Sequence, residues 1–419
     1  MTDSYDVKDI SLAKEGRQRI DWAAAHMPVL ALIRQEFEEK KPLKGVTLGA
    51  CLHVTKETAV LMETLQAGGA TVCVCGSNPL STQDDVAAAL AEAGIHVYAK
   101  YGVNNEEYYK HVDAVLGNKP MLTMDDGGDL VTRLITKHKD LIPDVLAGTE
   151  ETTTGVHRFR SMAAEGVLPY PLVAVNDAMT KHFFDNRYGT GQSTLDGILR
   201  ATSILLAGKT FVVGGYGWVG KGLSMRARGM GANVIVTEVD PVRALEAKMD
   251  GFGVMPINEA VKQAEIVVTV SGGKWLVDKE AWANTKDGCI FANSGHFDNE
   301  LNLGELATMT ENKKTVRPNV VEHTLKDGRK IFVLGEGRLV NLAAAEGHPP
   351  EVMDMSFANQ ALSSLWLLEN AKNLKKEVYN PSREQDERIA SLKLAAMGVN
   401  IDVLTKDQKA YLEGWQEGT

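Results

Sequence analysis

The sequence predicts an α/β protein with two doubly wound, Rossmann-like domains and a small C-terminal helical extension. Three observations lead to this fold class. Short apolar runs alternate with longer helical patterns in both halves of the chain, as in parallel sheets covered by helices. An apolar strand that runs into a glycine-rich turn opens the second half. The chain has 419 residues, which is long for one compact domain and suits two or three.

The composition is that of an ordinary soluble globular protein. Hydrophobic residues make up 44% and charged residues 24%, and the formal net charge is −10. No apolar run approaches about 18 residues, the N-terminus has no apolar signal core, and no basic block stands out. We therefore expect a cytoplasmic protein that binds neither membrane nor nucleic acid. The four cysteines lack metal-binding spacing, so we expect free thiols and no metal.

Nine short apolar runs are predicted as strands, because buried parallel strands form near-continuous apolar runs. In the first half these runs are Val46–Leu52, Thr71–Cys75, Ile95–Tyr98, Met121–Met124 and Leu172–Val175. In the second half they are Phe211–Val213, Val234–Thr237, Ile266–Val270 and Ile290–Ala292. Helices fill the gaps. We expect one at Asp84–Ala93, with Ser81 as a hydroxyl N-cap three residues before an acid, and a long one at Met353–Asn370.

Polar residues follow directly on several of these runs. His53, Asn78, Asp125-Asp126, Asn176-Asp177 with Lys181, and Gly295-His296 each come just after a predicted strand. In open α/β sheets, ligands bind outside the carboxyl ends of the strands. These side chains are therefore expected to converge on one cleft.

The glycine-rich turn predicts a dinucleotide site. Gly215, Gly217 and Gly220 form a GxGxxG pattern after the strand and before a helical run, which allows a pyrophosphate to sit on a helix N-terminus. Glu238 closes the next strand, 18 residues after Gly220, and is placed to bind the ribose hydroxyls. A carboxylate there repels a 2′-phosphate, so we expect NAD rather than NADP.

The chain resembles the adenosylhomocysteinase family along nearly its whole length. Eight segments in the family's order carry the resemblance. They are Cys51-Leu-His-Val-Thr-Lys-Glu57-Thr, Asn78-Pro-Leu-Ser-Thr-Gln-Asp84, Asp125-Asp-Gly-Gly-Asp129, Glu150-Glu-Thr-Thr-Thr-Gly155, Lys181-His-Phe-Phe-Asp185-Asn186-Arg-Tyr-Gly, Gly295-His296-Phe-Asp298, Gly335-Glu-Gly-Arg-Leu-Val-Asn341-Leu and Gly347-His348-Pro.

The resemblance implies reversible hydrolysis of S-adenosylhomocysteine to adenosine and homocysteine, through transient oxidation of the ribose 3′ position by one tightly bound NAD per subunit. It implies a substrate domain over residues 1–182, completed by 349–380, and an NAD domain over 183–348. A C-terminal extension over 381–419 is expected to mediate oligomerisation, and a homotetramer is the expected assembly.

The resemblance also assigns roles to residues within the matching segments. The catalytic residues it implies are His53, Asp126, Lys181, Asp185, Asn186 and His296. The substrate-binding residues it implies are Thr55, Glu57, Asp126, Glu151, Lys181, Asp185, His296, His348, Met353 and Phe357. The cofactor-binding residues it implies are Thr152, Thr153, Thr154, Asn186, Gly215, Gly217, Trp218, Val219, Gly220, Glu238, Arg243, Ser294, Gly295, His296, Asn341 and His348.

Two of these assignments carry a chemical condition. Lys181, as general base at the 3′-hydroxyl, needs a pKa lowered towards neutrality by burial or like charge, and Asp185 at i+4 can orient it. Asp126, His53 and His296 would act at the 4′ and 5′ carbons, with the division between the two imidazoles left open. Glu57 would accept a hydrogen bond from the 6-amino group of adenine, which favours an adenosyl over an inosyl substrate.

Alternative functions remain open at this stage. An S-inosylhomocysteine hydrolase would use the same scaffold. A 2-hydroxyacid dehydrogenase would also place a nucleotide domain late in the chain, and a catalytically silent NAD-bound relative would lack turnover.

The sequence departs from the family's pattern at four places. Trp218 replaces a common acid and Thr190 replaces a common cysteine beside the nicotinamide. Glu346 replaces a frequent apolar residue, which suggests a more polar purine pocket. The chain ends without the family's basic, aromatic tail.

Overall fold

Two eight-stranded sheets organise residues 4–416, the part of the chain that the computed structural model describes. The strands from the first half are β1 Tyr5–Val7, β2 Thr47–Cys51, β3 Thr71–Cys75, β4 His96–Ala99, β5 Leu122–Asp125, β6 Ala147–Glu150 and β7 Leu172–Ala174. Those from the second half are β8 Thr210–Gly214, β9 Asn233–Thr237, β10 Gly253–Val254, β11 Ile266–Thr269, β12 Ile290–Asn293, β13 Thr310–Arg317, β14 Val320–Leu325 and β15 Lys330–Leu334. A last short strand is β16 Val378–Tyr379.

The first sheet has the strand order β1-β4-β3-β2-β5-β6-β7-β16, and all of its neighbouring strands are parallel. Strand β16 pairs with β7, so a segment from the end of the chain returns to complete this sheet. The strand order reverses between β2 and β5. That switch point leaves a crevice at the carboxyl ends of these two strands, where ligands bind in doubly wound folds.

The second sheet has the order β10-β9-β8-β11-β12-β15-β14-β13. The first six strands in this order, which end with β15, are parallel to one another. The hairpin of β13 and β14 adds an antiparallel edge. The switch point lies between β8 and β11. The two sheets therefore repeat one doubly wound topology, which confirms the predicted fold class.

Helices cover both faces of the two sheets. Those of the first half are α1 Ala13–Ala25, α2 Pro28–Lys40, α3 Lys56–Ala67, α4 Asp84–Glu92, α5 Asn105–Gly117, α6 Asp129–Lys137, α7 Thr153–Ala164 and α8 Met179–His182. The second half has α9 Thr190–Thr202, α10 Trp218–Gly229, α11 Pro241–Met249, α12 Ile257–Ala260, α13 Lys279–Asn284, α14 Leu303–Met309 and α15 Val340–Ala343. The C-terminal part has α16 Pro350–Asn370, α17 Arg383–Ala396 and α18 Lys406–Glu413. Within residues 4–416, no helix is long and apolar enough to cross a membrane.

Helix α16 brings the chain back from the second domain to the first. It packs against α2, α3, α8 and β6. Asp354 on this helix accepts hydrogen bonds from the backbone nitrogens of Val29 and Leu30, and it pairs with Lys393 at 2.8 Å. The acid thereby satisfies free N–H groups in the first turn of α2, a position where negative charge is stabilising.

Helix α17 also belongs to the body of the first domain. Ile389 is fully buried, and Asp386 accepts hydrogen bonds from the backbone nitrogens of Met179 and Thr180 at the start of α8. Helix α17 lies within the extension expected over 381–419 and packs on α16 and α2, and the bounds of that extension stay a prediction. The exposed part consists of residues 397–416, and residues 417–419 lie outside the described residues.

The nine predicted strands are all present, each within two residues of its expected bounds. One predicted N-cap is wrong, although the helix begins at the expected residue. Helix α4 begins at Asp84 with Gln83 as N-cap, and Ser81 makes no capping bond to it. The Ser81 hydroxyl instead contacts the ring of His53 at 2.8 Å, so its hydrogen bond goes to the cleft and not to the helix.

Candidate active site

The carboxyl ends of the two sheets face a common cavity of about 1100 Å³. Single-ligand pockets measure about 300–1,000 Å³, so this space can hold more than one small molecule. Every residue that the sequence assigned to catalysis, substrate or cofactor lines the cavity, except Gly220. Gly220 lies beneath the lining, where a Cβ would come within 2.0 Å of the Gly215 carbonyl oxygen.

A cluster of two histidines and one acid forms the centre of the site. His53 follows β2, Asp126 follows β5, and His296 follows β12. The Asp126 carboxylate lies 3.4 Å from Nε2 of His53 and 3.7 Å from Nδ1 of His296. Gly127, at φ +104°, allows this approach, because a Cβ there would lie 2.1 Å from the His296 ring. The switch point of the first sheet and the carboxyl end of β12 thus bring one acid between two imidazoles.

Burial sets the charge of this cluster. It lowers the pKa of His53 to about 3, with help from the nearby His348, and so keeps the ring neutral. It also lowers the pKa of His296 and raises that of Asp126. The three side chains offer ligand atoms within 4.8 Å of one another, a spacing that a cation could bridge and that no sequence motif indicated.

Lys181 also lines the cavity and is 3% exposed. Its ammonium donates to Oδ1 of Asn186 at 2.9 Å and to Oδ1 of Asn176 at 3.2 Å. The carboxylates of Asp185 and Glu151 lie 3.6 and 3.7 Å away. The lysine is therefore held by two amides between two acids.

This environment overturns one expectation about Lys181. Burial alone lowers its pKa, but the carboxylates of Asp185, Glu151 and Asp126 outweigh burial and raise the pKa above its ordinary value. The predicted contact with Asp185 is present, yet α8 ends at His182 and a π-helical turn over Asp185–Gly189 follows. The acids thus keep the amine protonated at neutral pH in this structure.

Helix α16 orients the two acids beside Lys181. Ser356 donates to Oδ2 of Asp185 at 2.9 Å, and Gln360 donates to Oε2 of Glu151 at 2.5 Å. Burial raises the pKa of Glu151 to about 8, whereas Lys181 and His348 overcome burial and hold the pKa of Asp185 well below its usual range. The two acids beside the same lysine therefore have opposite tendencies to ionise.

One end of the cavity is lined by the residues assigned to the purine. These residues are Thr55, Glu57, His348, Met353 and Phe357. Glu57 is 1% exposed, and its Oε1 lies 3.2 Å from the Lys56 ammonium. A carboxylate has several lone pairs, so Glu57 can still accept a hydrogen bond from a ligand in the cavity. Nε2 of His348 lies 2.9 Å from the Thr190 hydroxyl and 3.3 Å from Asp185, which links this end to the lysine.

The other end of the cavity has the form of a dinucleotide cradle. Gly215 has φ +118°, and a Cβ there would lie 3.0 Å from Ser271, whereas the space beside Gly217 is open. Helix α10 begins directly after this turn and directs its free N–H groups at the opening. Glu238 follows β9 and accepts from the backbone nitrogen of Tyr216 at 2.8 Å. These features fit NAD.

The remaining residues assigned to the cofactor lie between the cradle and the lysine. Asn341 is fully buried and donates to Ser193, while its Oδ1 has no hydrogen-bond donor among the described residues. Asn186 donates to the Thr153 hydroxyl at 3.3 Å. The others line the same wall or the rim, and they are Thr152, Thr154, Trp218, Val219, Arg243, Ser294 and Gly295.

The departures from the family's pattern have structural consequences. The Trp218 indole packs against the rings of Phe183 and His182, and the Lys221 ammonium lies over its ring, so Trp218 contacts the segment that follows Lys181. The expectation that Glu346 makes the purine pocket more polar is wrong. Glu346 does not line the cavity, and its carboxylate pairs with Arg19, Lys56 and Arg200.

Sequence reasoning missed several supporting residues. Ser77 and Ser81 contact Nδ1 of His53 at 3.0 and 2.8 Å, and Gln360 and Ser356 hold the acids. Ser81 lies within a segment that carried the family resemblance, so that segment was the available signal. No sequence signal indicated Ser356 and Gln360, because only the fold brings helix α16 to the cavity.

Comparisons with known proteins agree with this geometry. The model of the S-adenosyl-L-homocysteine hydrolase family matches residues 4–144, and the model of that family's NAD-binding domain matches residues 186–347. The chain is 58% identical to an adenosylhomocysteinase of Aquifex aeolicus and 57% identical to an S-inosyl-L-homocysteine hydrolase of Methanocaldococcus jannaschii. It is 56% identical to an adenosylhomocysteinase of Saccharolobus solfataricus. Each match covers 99% of this chain and 100% of the relative.

Proposed function

Because the chain belongs to the S-adenosyl-L-homocysteine hydrolase family, we propose that it catalyses the reversible hydrolysis of S-adenosyl-L-homocysteine to adenosine and homocysteine. One observation carries this proposal. A single cavity joins a dinucleotide cradle to a buried lysine and to an acid between two histidines. Net thioether hydrolysis through a reversible oxidation needs these elements together.

The proposed chemistry divides the site into two parts. When bound, NAD supplies a reversible hydride acceptor for the 3′ carbon of the ribose. Lys181, once it has lost its own proton, takes the proton of the 3′-hydroxyl, and Asn186 and Asn176 hold the amine in place. Glu151 accepts hydrogen bonds from the ribose hydroxyls, and Gln360 fixes its carboxylate.

The second part of the site acts once the sugar carries a 3′-ketone. The ketone acidifies the neighbouring 4′ hydrogen, and Asp126 with His53 and His296 removes it while homocysteine leaves from the 5′ carbon. A neutral imidazole can then activate the water that adds to the 5′ carbon. Burial keeps both rings neutral at physiological pH, which suits this role.

The test uses purified protein with S-adenosyl-L-homocysteine, following free thiol and the 340-nm absorbance of bound cofactor together. Thiol release with only transient NADH supports the proposal. Net accumulation of NADH in solution when a 2-hydroxy acid and NAD replace the thioether would indicate a 2-hydroxyacid dehydrogenase. Bound NAD without thiol release would indicate a catalytically silent relative.

S-inosyl-L-homocysteine is the second candidate substrate, because a relative at 57% identity is named an S-inosyl-L-homocysteine hydrolase. The buried Glu57 carboxylate, which lines the purine end of the cavity, favours the adenosyl compound, whose 6-amino group is a donor. Comparison of kcat/KM for the two thioethers decides between them. A higher value for the inosyl compound would reverse the assignment.

Replacing Glu238 by alanine should weaken NAD binding by roughly tenfold or more, because the ribose loses a charged acceptor. Replacing it by arginine should weaken NAD further and improve NADP relative to NAD, since the 2′-phosphate then meets a cation. Calorimetric titration with both dinucleotides measures the two effects. Glu259→Ala, at an exposed acid paired with Lys262, is the matched control. Unchanged NAD affinity in the Glu238 variants would contradict the assignment.

We also propose that the active assembly is a homotetramer. Val403, Leu412 and Trp415 in the C-terminal segment are 67–88% exposed, and Val242 and Met249 on α11 beside the cradle are 72–76% exposed. Apolar surface of this kind is typical of an interface. Light scattering after size exclusion gives the mass of the full chain, and a chain ending at residue 396 should form a smaller species. A monomeric full chain would reject the proposal. The four free, buried cysteines are consistent with a cytoplasmic location, which stays a prediction.

A further inference from the structure

Lys56 lies between two carboxylates behind the purine end of the cavity. Its side chain is 9% exposed and does not line the cavity, whereas the neighbouring Glu57 does. The Lys56 ammonium is 3.2 Å from Oε1 of Glu57 and 3.1 Å from Oε2 of Glu346. A buried lysine thus lies directly behind the Glu57 carboxylate, which faces the purine end of the cavity.

Glu346 fixes the far side of Lys56. Its carboxylate also pairs with Arg200 at 3.1 Å and with Arg19 at 3.4 Å, and these three cations overcome burial and lower its pKa to about 2. The Glu346 carbonyl oxygen accepts from Gln83, whose own side-chain oxygen accepts from the Lys56 backbone nitrogen. Residues from both domains therefore hold Lys56 in one position.

The charge of Glu57 determines which purine edge it can bind. A carboxylate only accepts hydrogen bonds, so it suits the 6-amino group of adenine and opposes the 6-oxo group of hypoxanthine. A protonated carboxyl can also donate, and it can therefore bind the 6-oxo group. Burial raises the pKa of Glu57, and the Lys56 charge opposes this shift. The contact between Lys56 and Glu57 therefore affects which purine the site can bind.

We propose that Lys56 is a positioning residue for substrate specificity, anchored by Glu346, that keeps Glu57 ionised and so selects a 6-amino over a 6-oxo purine nucleoside. This inference rests on the proposed function. Lys56 on its own helix contacts Glu57, and His348 from the loop before α16 lines the same cavity. Glu346 joins Lys56 to Arg19 from α1 and Arg200 from α9. Lys56 is the cation in direct contact with the Glu57 carboxylate.

The test measures kcat/KM for S-adenosyl- and S-inosyl-L-homocysteine with Lys56→Met and Lys56→Gln. The adenosyl-to-inosyl ratio should fall by roughly tenfold in both variants at neutral pH, because Glu57 then takes up a proton. The ratio should recover as pH rises, since an acid with a raised pKa ionises at higher pH. Wild type should keep a constant ratio over the same range. Lys56→Arg should keep the wild-type ratio.

Lys40→Met is the matched control, because it removes one positive charge from an exposed lysine paired with Glu36. A purely structural role for Lys56 would lower both kcat/KM values equally and leave the ratio independent of pH. That result overturns the inference, and so does an unchanged ratio in Lys56→Gln if Lys56→Met fails to fold. If wild type cleaves neither thioether, the proposed function fails. The claim about Lys56 is then judged by the relative affinities of adenosine and inosine in calorimetry.

Discussion

Replacing Lys181 by alanine should lower kcat by about a hundredfold to ten-thousandfold, the range that a positioned general base contributes. NAD should stay bound, because the dinucleotide cradle lies on strands of the other sheet. Single-turnover absorbance at 340 nm should show that 3′-oxidation itself has been lost. Lys110→Ala, at an exposed lysine paired with Glu106, is the control. Near-normal turnover in Lys181→Ala would remove the lysine from the mechanism.

The charge around Lys181 adds a pH dependence to this prediction. Its pKa is raised by the carboxylates of Asp185, Glu151 and Asp126, so the amine carries its proton at neutral pH. A base must first lose that proton. The rate of 3′-oxidation in wild type should therefore increase from neutral to alkaline pH, measured by stopped-flow absorbance. A rate that falls over that range would contradict the role as a base.

Replacing Asp126 by asparagine should lower thiol release by about a hundredfold or more while 3′-oxidation continues. Asparagine keeps the shape of the side chain but removes the charge that lies 3.4 Å from His53 and 3.7 Å from His296. Because Lys181 stays in place, the sugar should still be oxidised but eliminate slowly. NADH should therefore accumulate on the enzyme, which the 340-nm signal detects.

This pattern separates Asp126 from Lys181, since the lysine variant should show neither NADH nor thiol. Asp21→Asn changes an exposed acid paired with Arg17 and serves as the control. If Asp126→Asn loses 3′-oxidation to the same degree as thiol release, the acid does not act at the 4′ position. If it loses neither, the acid has no catalytic role.

Apolar runs were sufficient to predict the strands that form the middle of each sheet. Strand β6 was not predicted, although it leads directly to Glu151. Its sequence, Ala-Gly-Thr-Glu, has no apolar run, and it forms because small residues let neighbouring strands pack closely. A Cβ on Gly148 would lie 2.2 Å from the Thr123 hydroxyl. Strands β1 and β16 are two or three residues long and are defined only by their pairing partners.

The sequence could predict those site residues that come directly after a predicted strand. His53, Asp126 and His296 do so, and the structure brings them together. Contacts between distant segments were not predictable. Gln360 and Glu151 are 209 residues apart, and Lys56 and Glu346 are 290 apart. These pairs depend on how the domains meet, which no local pattern encodes.

The expected lowering of the Lys181 pKa was wrong for the same reason, because contacts between distant segments raise it. The sequence places Asp185 four residues after the lysine, but it does not reveal that Glu151 and Asp126 approach from other strands. Whether the pKa of a buried lysine rises or falls depends on the number of acids within a few ångströms of its amine. Only the three-dimensional arrangement supplies that number.

Four side chains of helix α16 make separate contacts because successive residues point in different directions around the helix axis. Asp354 faces the start of α2, Phe357 faces the purine end, and Ser356 and Gln360 reach the acids beside the lysine. Each residue along a helix turns by about 100°, so deleting one residue before Asp354 would misdirect all four groups at once. We therefore expect this segment to tolerate substitutions on its outward side but no change in length.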